Sequence, residues 1–439
     1  MTSQHRLRAI PTEDRAWLLA ALTDALAGGA PVLPVAKSVD PADIERILEY
    51  PLPAEAALVI RTSGSSGVPK AVALSASALK ASADATHEAF GGPGGWLVSL
   101  PTHLISGLQM LVRSAASGIE PVFVDGPFDP EKLLHAADSM NAQRRYVSLV
   151  PVQFARLLDL AESDEEAADA VRRFDAVLVG GQQVSLALRQ RAHELGVALK
   201  RSYGMTETSG GCVYDGVEIG DTRVRIRGGE VQLAGSALAL GYLGDPERTA
   251  TAFIEEADRN GELTRWYRTG DAGELLGGML TVTGRLDRVL VSGGINVSLD
   301  QIERVAREFG GWETALALAT EHPEWGERPM LVVETREGSV PFDEVRAAIR
   351  EKLGPAATPS GQPRHKRSRS CQVANQILLR WKNGCDNCAR ASRRPERHKS
   401  AKRRSRTRIV RTPGESPQRS EQVGQPGEAS CCRAPDGLG

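Results

Sequence analysis

An α/β fold, with a large N-terminal body of layered sheets and helices, a small α+β block behind it and an unpatterned basic tail, is predicted by three observations. Short β-branched runs alternate with helix-like segments from about residue 50 to 285. A second, shorter set of strand and helix patterns follows Gly294. After Gly354 the periodicity of 2 or 3.6 stops and the composition changes.

The elements follow in order. "EDRAWLLAALTDALAGG" has helical patterning and ends on glycines, and "DPADIERILEY" opens on an Asp-Pro start signal. Ala56 to Ile60 and Ala71 to Leu74 read as strands bracketing the loop "RTSGSSGVPK". "WLVSL", "PVFV", "RRYVSLV" and "DAVLVGG" are strand-like, and "SLALRQRAHELG" is helix-like, which argues for a parallel sheet. "TRVRIRGGEVQLAG" reads as a hairpin through Gly228 and Gly229, followed by the turn-rich "GYLGDPERT". "ELLGGMLTVTGRLDRVLVSGG" supplies further strands, and a βαβ-like block runs through "MLVVET" and "FDEVRAAIREKLG". No internal repeat is present. The expected division is residues 1–286, 287–354 and 355–439.

At 439 residues and 41% apolar composition the chain can build more than one core. No apolar run reaches the roughly 18 residues of a membrane span, and the N-terminus lacks the apolar core of a signal peptide, so a soluble cytoplasmic protein is expected. The net charge of -1 conceals an asymmetry: from Pro355 onward 19 Lys and Arg face 6 Asp and Glu. Five of the six cysteines lie in that segment, and Cys212 alone lies in the body. Two compositions meet near Pro355.

Chemistry concentrates in four stretches. In "RTSGSSGVPK" the spacing Gly64-x-x-Gly67-x-x-Lys70 is not that of a Walker A loop. Its glycines still admit close backbone approach to an anion, its hydroxyls donate and Lys70 supplies charge, although a flexible Gly/Ser turn is the alternative. "SYGMTETSGG" offers Glu207 as a hard oxygen donor for Mg²⁺ and Tyr203 as a surface for a base. "WYRTGD" places Asp271 after a glycine turn at a strand end, where it can accept from ribose hydroxyls, and "GRLDRV" sets Arg285 and Asp287 where the two blocks meet. Each alone also reads as an ordinary turn or surface pair.

Taken together, in order and spacing, "TSGSSGVPK", "SYGMTET", "YRTGD" and "GRLDRVLVSGGINVSLDQIE" resemble the acyl-adenylate-forming family of acyl-CoA and aryl-CoA synthetases, adenylation domains and luciferases. The resemblance runs from about residue 50 to 354. It implies the adenylate-forming fold, with a small mobile C-terminal domain, and ATP, Mg²⁺ and CoA as ligands. It further implies that Thr62, Ser63, Gly64, Ser65, Ser66, Gly67 and Lys70 close on the β- and γ-phosphates, Ser66 standing where threonine is usual. Gly180, Gly181, Gln182 and Gln183 match the adenine turn, Gly180 also bordering the acid pocket. Tyr203 and Gly204 match the adenine stack, Gly204 also bordering the acid, Thr206 the α-phosphate contact and Glu207 the metal ligand. Asp271 and Arg285 match the ribose ligands, Asp287 the hinge, and Gly293 and Gly294 the loop beside the pantetheine tunnel. Lys70, Thr206 and Glu207 are the implied catalytic group.

"HLISGLQMLVRS" and the Gly-Gly-Cys-Val-Tyr-Asp run resemble the branch that ligates o-succinylbenzoate to CoA in menaquinone biosynthesis, in its actinobacterial form. That acid carries two carboxylates, and Arg113 matches an arginine that grips the one not reacting, with Ser106 nearby. A helix arginine lying along an apolar boundary is the plainer alternative. The family's pocket histidine is replaced by Leu104, with His103 one residue early. The family's C-terminal lysine is also missing, because "PSGQPRHK" has Gln362 there and Lys366 is a poor substitute.

The resemblance therefore implies an ATP-dependent, AMP-forming acid-CoA ligase that converts o-succinylbenzoate to its CoA thioester through an acyl-adenylate, with adenylation impaired by loss of the C-terminal lysine. The alternatives are another aryl- or acyl-CoA synthetase, or a non-catalytic adenylate binder whose tail contacts nucleic acid. The tail itself has three readings. The preferred one is a translated wrong frame; the others are a phosphate-binding extension around Lys399 to Arg411, and a metal site from Cys371, Cys385, Cys388 and His398. Nucleic acid and membrane are not expected as partners, and a homo-oligomer is left open.

Overall fold

A computed structural model describes residues 6–62, 70–257, 260–312, 314–333, 338–360 and 364–365. Ser63, Gly64, Ser65, Ser66, Gly67, Gln362, Lys366 and the tail readings, with Cys371, Cys385, Cys388 and His398, lie outside the described residues.

The body is built on two sheets whose inner faces share one core. The first orders strands Arg8–Pro11, Val32–Val35, Ala56–Thr62, Lys70–Ser75 and Gly241–Tyr242. The second has seven strands, in the order Val217–Glu218, Gly210–Tyr214, Leu199–Met205, Ala176–Val179, Arg145–Leu149, Gly95–Val98 and Val122–Phe123. Its strands are parallel from Val122–Phe123 through Leu199–Met205, and the remaining two pair antiparallel. This is the parallel sheet that the alternating pattern predicts.

Period 2 puts alternate side chains of the seven-stranded sheet on opposite faces. Trp96, Val98, Tyr146, Ala176 and Leu178 turn to a core shared with the first sheet and helices Arg15–Leu26, Ala76–Ala89 and Ile105–Ser117. Leu97, Val147, Leu149, Val177 and Val179 turn the other way, onto helices Pro130–Asp138, Pro151–Ser163, Glu165–Arg172 and Leu186–Glu194. The first sheet's outer residues Leu33, Val59, Ala71 and Ala73 are covered by Ile47 of helix Pro41–Glu49. Asp14, Asp40, Ser75 and Ser185 cap their helices through side-chain acceptors.

A third, antiparallel sheet holds Arg223–Arg227, Glu230–Ala234, Leu263–Leu276, Phe253–Ala257 and Met279–Arg285. Its first hairpin turns through Gly228 and Gly229, with φ of 59° and 80°, the two-residue turn that needs positive φ twice. The segment read as merely turn-rich forms the short strand Gly241–Tyr242 and the helix Pro246–Ala252, capped by Asp245.

The block after Arg285 contains the expected βαβ unit within an otherwise antiparallel sheet, since Gly326–Val333, helix Phe342–Leu353 and Arg364–His365 follow in order and the two strands pair parallel. Its strands Ile295–Ser298, Val289–Ser292, Gly326–Val333 and Leu316–His322 pair antiparallel, and Arg364–His365 adds a short parallel pairing. Leu316–His322 and Gly326–Val333, by contrast, are joined by a tight turn and pair antiparallel. Helices Leu299–Ala306 and Phe342–Leu353 close a separate core of Ile302, Trp312, Leu331, Val333, Val345 and Ile349.

Candidate active site

Four strand ends, the interior of one long strand and one 3₁₀ turn assemble the site. Strands Ala56–Thr62 and Lys70–Ser75 are paired to their last residues, with Thr62 opposite Lys70. The phosphate-loop motif is thus anchored at both ends in one sheet. Lys70 is half-buried, and burial lowers its pKa from the usual lysine value while Glu207 opposes that shift.

Leu199–Met205 carries Tyr203 and ends in the 3₁₀ turn Thr206–Thr208, where Thr206 and Glu207 are buried. Gly204 pairs with Gly211 across the hairpin, and at φ 158° a Cβ on it would lie 2.1 Å from the Gly210 carbonyl oxygen. Only glycine lets these strands approach so closely. The Glu207 carbonyl accepts from the Ala239 N–H at 2.8 Å. Its carboxylate Oε1 accepts from the Tyr242 hydroxyl at 2.8 Å, and no other hydrogen bond to that carboxylate is formed among the described residues. Burial, with the adjacent Glu207 charge, raises the Tyr242 phenol well above its usual value.

Asp271 sits within the long strand Leu263–Leu276 rather than at a strand end, directly opposite Arg285. A register shift just beyond it, between Ala272 and Gly273, lets a buried carboxylate face the site from a continuous strand. Asp271 Oδ2 accepts from the Tyr203 hydroxyl at 2.7 Å, and Oδ1 from Arg285 Nη1 at 3.2 Å. Burial raises the Asp271 pKa despite both donors. Burial alone would lower the Arg285 pKa, yet Asp287 and Asp271 raise it on balance. Arg285 also forks onto both oxygens of Asp287, at 3.1 and 3.2 Å. The adenine, ribose and hinge candidates thus form one chain, Tyr203–Asp271–Arg285–Asp287.

The adenine-turn candidates Gly180, Gly181, Gln182 and Gln183 link strand Ala176–Val179 to helix Leu186–Glu194, with Gly181 at φ 80°. Gly293 and Gly294, at φ 57° and 81°, form the two-residue turn between Val289–Ser292 and Ile295–Ser298. Ser106 is exposed near the start of helix Ile105–Ser117, and Arg113 lies two turns further along the same face.

Arg113 is 2% exposed and forms no ion pair among the described residues. Its guanidinium lies 4.6 Å over the Trp96 ring and reaches the Tyr214 hydroxyl at 3.4 Å. Its Nε has no partner, nor do Trp96 Nε1, His87 Nε2, Gln109 Oε1 and Ser114 Oγ, all buried. Burial lowers the Arg113 pKa. A buried guanidinium without a counter-charge is costly, and the unpaired donors Arg113 Nε and Trp96 Nε1 suit an anion, whereas Gln109 Oε1 is an unpaired acceptor.

His103 and Leu104 precede the helix instead of riding on it, since Leu104 is the N-cap residue. His103 lines a small cavity of about 30 Å³ with Leu33, Val35, Ile44 and Arg61, on the outer side of the first sheet.

Sequence reasoning passed over Tyr242, Trp96, His87 and Glu230, and took in Tyr214 only as part of the Gly-Gly-Cys-Val-Tyr-Asp run. Glu230 accepts from the Gly270 N–H at 3.0 Å and from Arg268 Nε at 2.9 Å, fixing the turn before Asp271. No cluster of three or more metal-binding side chains occurs among the described residues. A single carboxylate with one oxygen free suits Mg²⁺, which keeps waters and phosphate oxygens as its other ligands.

Residues 12–276 match the family model described as AMP-binding enzyme. The probable 2-succinylbenzoate–CoA ligase of Mycobacterium tuberculosis is 36% identical over 313 residues, covering 70% of this chain and 78% of that protein. The o-succinylbenzoate CoA synthetase of Bacillus subtilis, solved with the acyl-adenylate intermediate, aligns with a TM-score of 0.65 at 20% identity, over 84% of this chain and 93% of that one. The same synthetase with ATP and magnesium ion aligns with a TM-score of 0.64 at 20% identity, over 83% and 94%.

Proposed function

The chain belongs to the AMP-binding enzyme family and has its fold, and from that premise we propose that it is an ATP-dependent, AMP-forming ligase joining o-succinylbenzoate to CoA. Membership accounts for the nucleotide half of this reading. The acid half is carried by one observation, the buried Arg113 with no ion-pair partner among the described residues. A dicarboxylate supplies what that site lacks, a second anion to be held while the first reacts. We further propose that residues 1–286 and 287–354 act as the two lobes, with Asp287 at the hinge, and that the reaction takes place in the cytoplasm.

The roles follow from charge and position. Tyr203 and the Gly180–Gln183 turn offer faces for adenine, while Asp271 and Arg285 accept and donate to the ribose hydroxyls. Lys70 and the hydroxyls of its motif take the β- and γ-phosphates, and Thr206 the α-phosphate. Glu207 would hold Mg²⁺, which supplies charge stabilisation to the phosphoryl oxygens when bound. The substrate carboxylate attacks the α-phosphorus, pyrophosphate leaves, and the CoA thiol then displaces AMP from the acyl-adenylate. Gln362, where the family has lysine, leaves the first step short of one cation.

The test is CoA thioester formation from o-succinylbenzoate, ATP and Mg²⁺, beside analogues that lack one or other carboxylate. Product from the diacid, at a KM at least tenfold below either analogue's and with that preference lost in Arg113→Met, supports the reading. Equal use of the monoacids would overturn the assignment of the acid.

A further inference from the structure

Tyr242 lies in none of the four stretches that carry the chemistry, yet its side chain stands between two of them. Gly241–Tyr242 pairs antiparallel with Lys70–Ser75, Tyr242 opposite Val72, so the ring sits beside the base of the phosphate-loop motif. Its hydroxyl donates to Glu207 Oε1 at 2.8 Å. The Lys70 ammonium lies 5.1 Å from the centre of the same ring. Lys70 and Glu207 are close enough to feel each other's charge but form no ion pair with each other among the described residues.

That arrangement solves a specific difficulty. A lysine and a glutamate this near each other tend to pair directly, and each would then be neutralised before a metal–triphosphate arrived. An aromatic face attracts an ammonium without consuming a carboxylate, and a phenol satisfies one carboxylate oxygen while leaving the other open. The backbone holds Tyr242 there independently, because its N–H donates to Thr249 Oγ1 at 2.9 Å.

We propose that Tyr242 is a positioning residue that keeps Lys70 and Glu207 apart and separately available, its ring holding the lysine and its hydroxyl orienting the metal-binding carboxylate. The proposal rests on the nucleotide half of the function stated above.

The test is binding of ATP to the full chain, with and without Mn²⁺ as the metal probe, in the absence of acid and CoA. Tyr242→Phe keeps the ring and loses the hydroxyl. It should weaken Mn²⁺-dependent ATP binding about tenfold, the scale of one hydrogen bond to a charged group, and leave metal-free ATP binding unchanged. Tyr242→Leu should weaken metal-free binding as well, because Lys70 is then free to pair with Glu207. In a Glu207→Gln background the Phe substitution should have no further effect on the metal-dependent part. Wild-type Mn²⁺ dependence in Tyr242→Phe, or full additivity with Glu207→Gln, would overturn the role of Tyr242 alone. Wild-type protein that binds no Mn²⁺–ATP would overturn the functional reading and this proposal with it.

Discussion

At the scale of single residues, two buried ionisable groups, Arg113 and Asp271, are central to the proposed chemistry, and both have measurable consequences. Arg113 is held in the fold without a counter-charge, so replacing it with an apolar side chain of similar length removes a burial cost. Buried ionic groups exchanged for well-packed hydrophobes are often neutral or stabilising, by about 1–4 kcal/mol. Arg113→Met should therefore raise or preserve the unfolding midpoint in the absence of ligand while losing the diacid preference. A marked fall in the midpoint would mean that Arg113 is a structural group already compensated.

Asp271 is the second. Burial raises its pKa above the aspartate value of 3.8. The folded state then holds its proton more tightly than the unfolded chain. Its contribution to stability is present below the unfolded pKa and lost as pH rises through the higher folded one. The difference in unfolding free energy, wild type minus Asp271→Asn, should accordingly increase as pH falls through that window. The same shift moves the acid limb of the ATP KM upward in pH, and Asp271→Asn should flatten it. Titration of both curves at the ordinary aspartate position would contradict the burial argument. The two differ in how they show in sequence: Asp271 was readable as a candidate carboxylate in "WYRTGD", whereas Arg113 was legible only through a motif resemblance, and nothing in "VRS" says that the guanidinium lies over Trp96.

At the scale of elements, the hairpin Leu199–Met205/Gly210–Tyr214 positions both Tyr203, the proposed adenine face, and Glu207, the proposed metal ligand, and its close approach at Gly204 is what makes that possible. Gly204→Ala places a methyl group against the backbone of Gly210, where no flexible side chain can yield. It should cost more than about 1 kcal/mol of stability and weaken ATP binding, both read by nucleotide titration alongside thermal unfolding. Strand and helix alternation was readable from sequence because parallel strands buried on both faces appear as short apolar runs. Two elements were not. Asp271 lies inside a 14-residue strand, because Thr-Gly-Asp resembles a turn when the cross-strand partner Arg285 is not known. The strand Gly241–Tyr242 is two residues long, too short for any periodicity to show. The residue that bridges Lys70 and Glu207 was hidden there.

At the scale of the molecule, the residues proposed to carry the nucleotide chemistry are distributed over three sheets. Lys70 comes from the first, Tyr203 and Glu207 from the end of a strand of the second, and Asp271 and Arg285 from the third. Alternation gave a parallel sheet in the body and a βαβ-like unit after Gly294, but not the antiparallel pairing of the other strands in that block, since short apolar strands carry no signature of direction. The function depends on whether such a framework still forms an acyl-adenylate with Gln362 in place of the family's lysine. The most direct measurement is pyrophosphate release from ATP, Mg²⁺ and o-succinylbenzoate without CoA, in wild type, Glu207→Ala and Gln362→Lys. Release in wild type above the Glu207→Ala level, rising by roughly 10²–10³ in Gln362→Lys as one added transition-state cation allows, is the predicted result. No release in any of the three proteins would contradict the account.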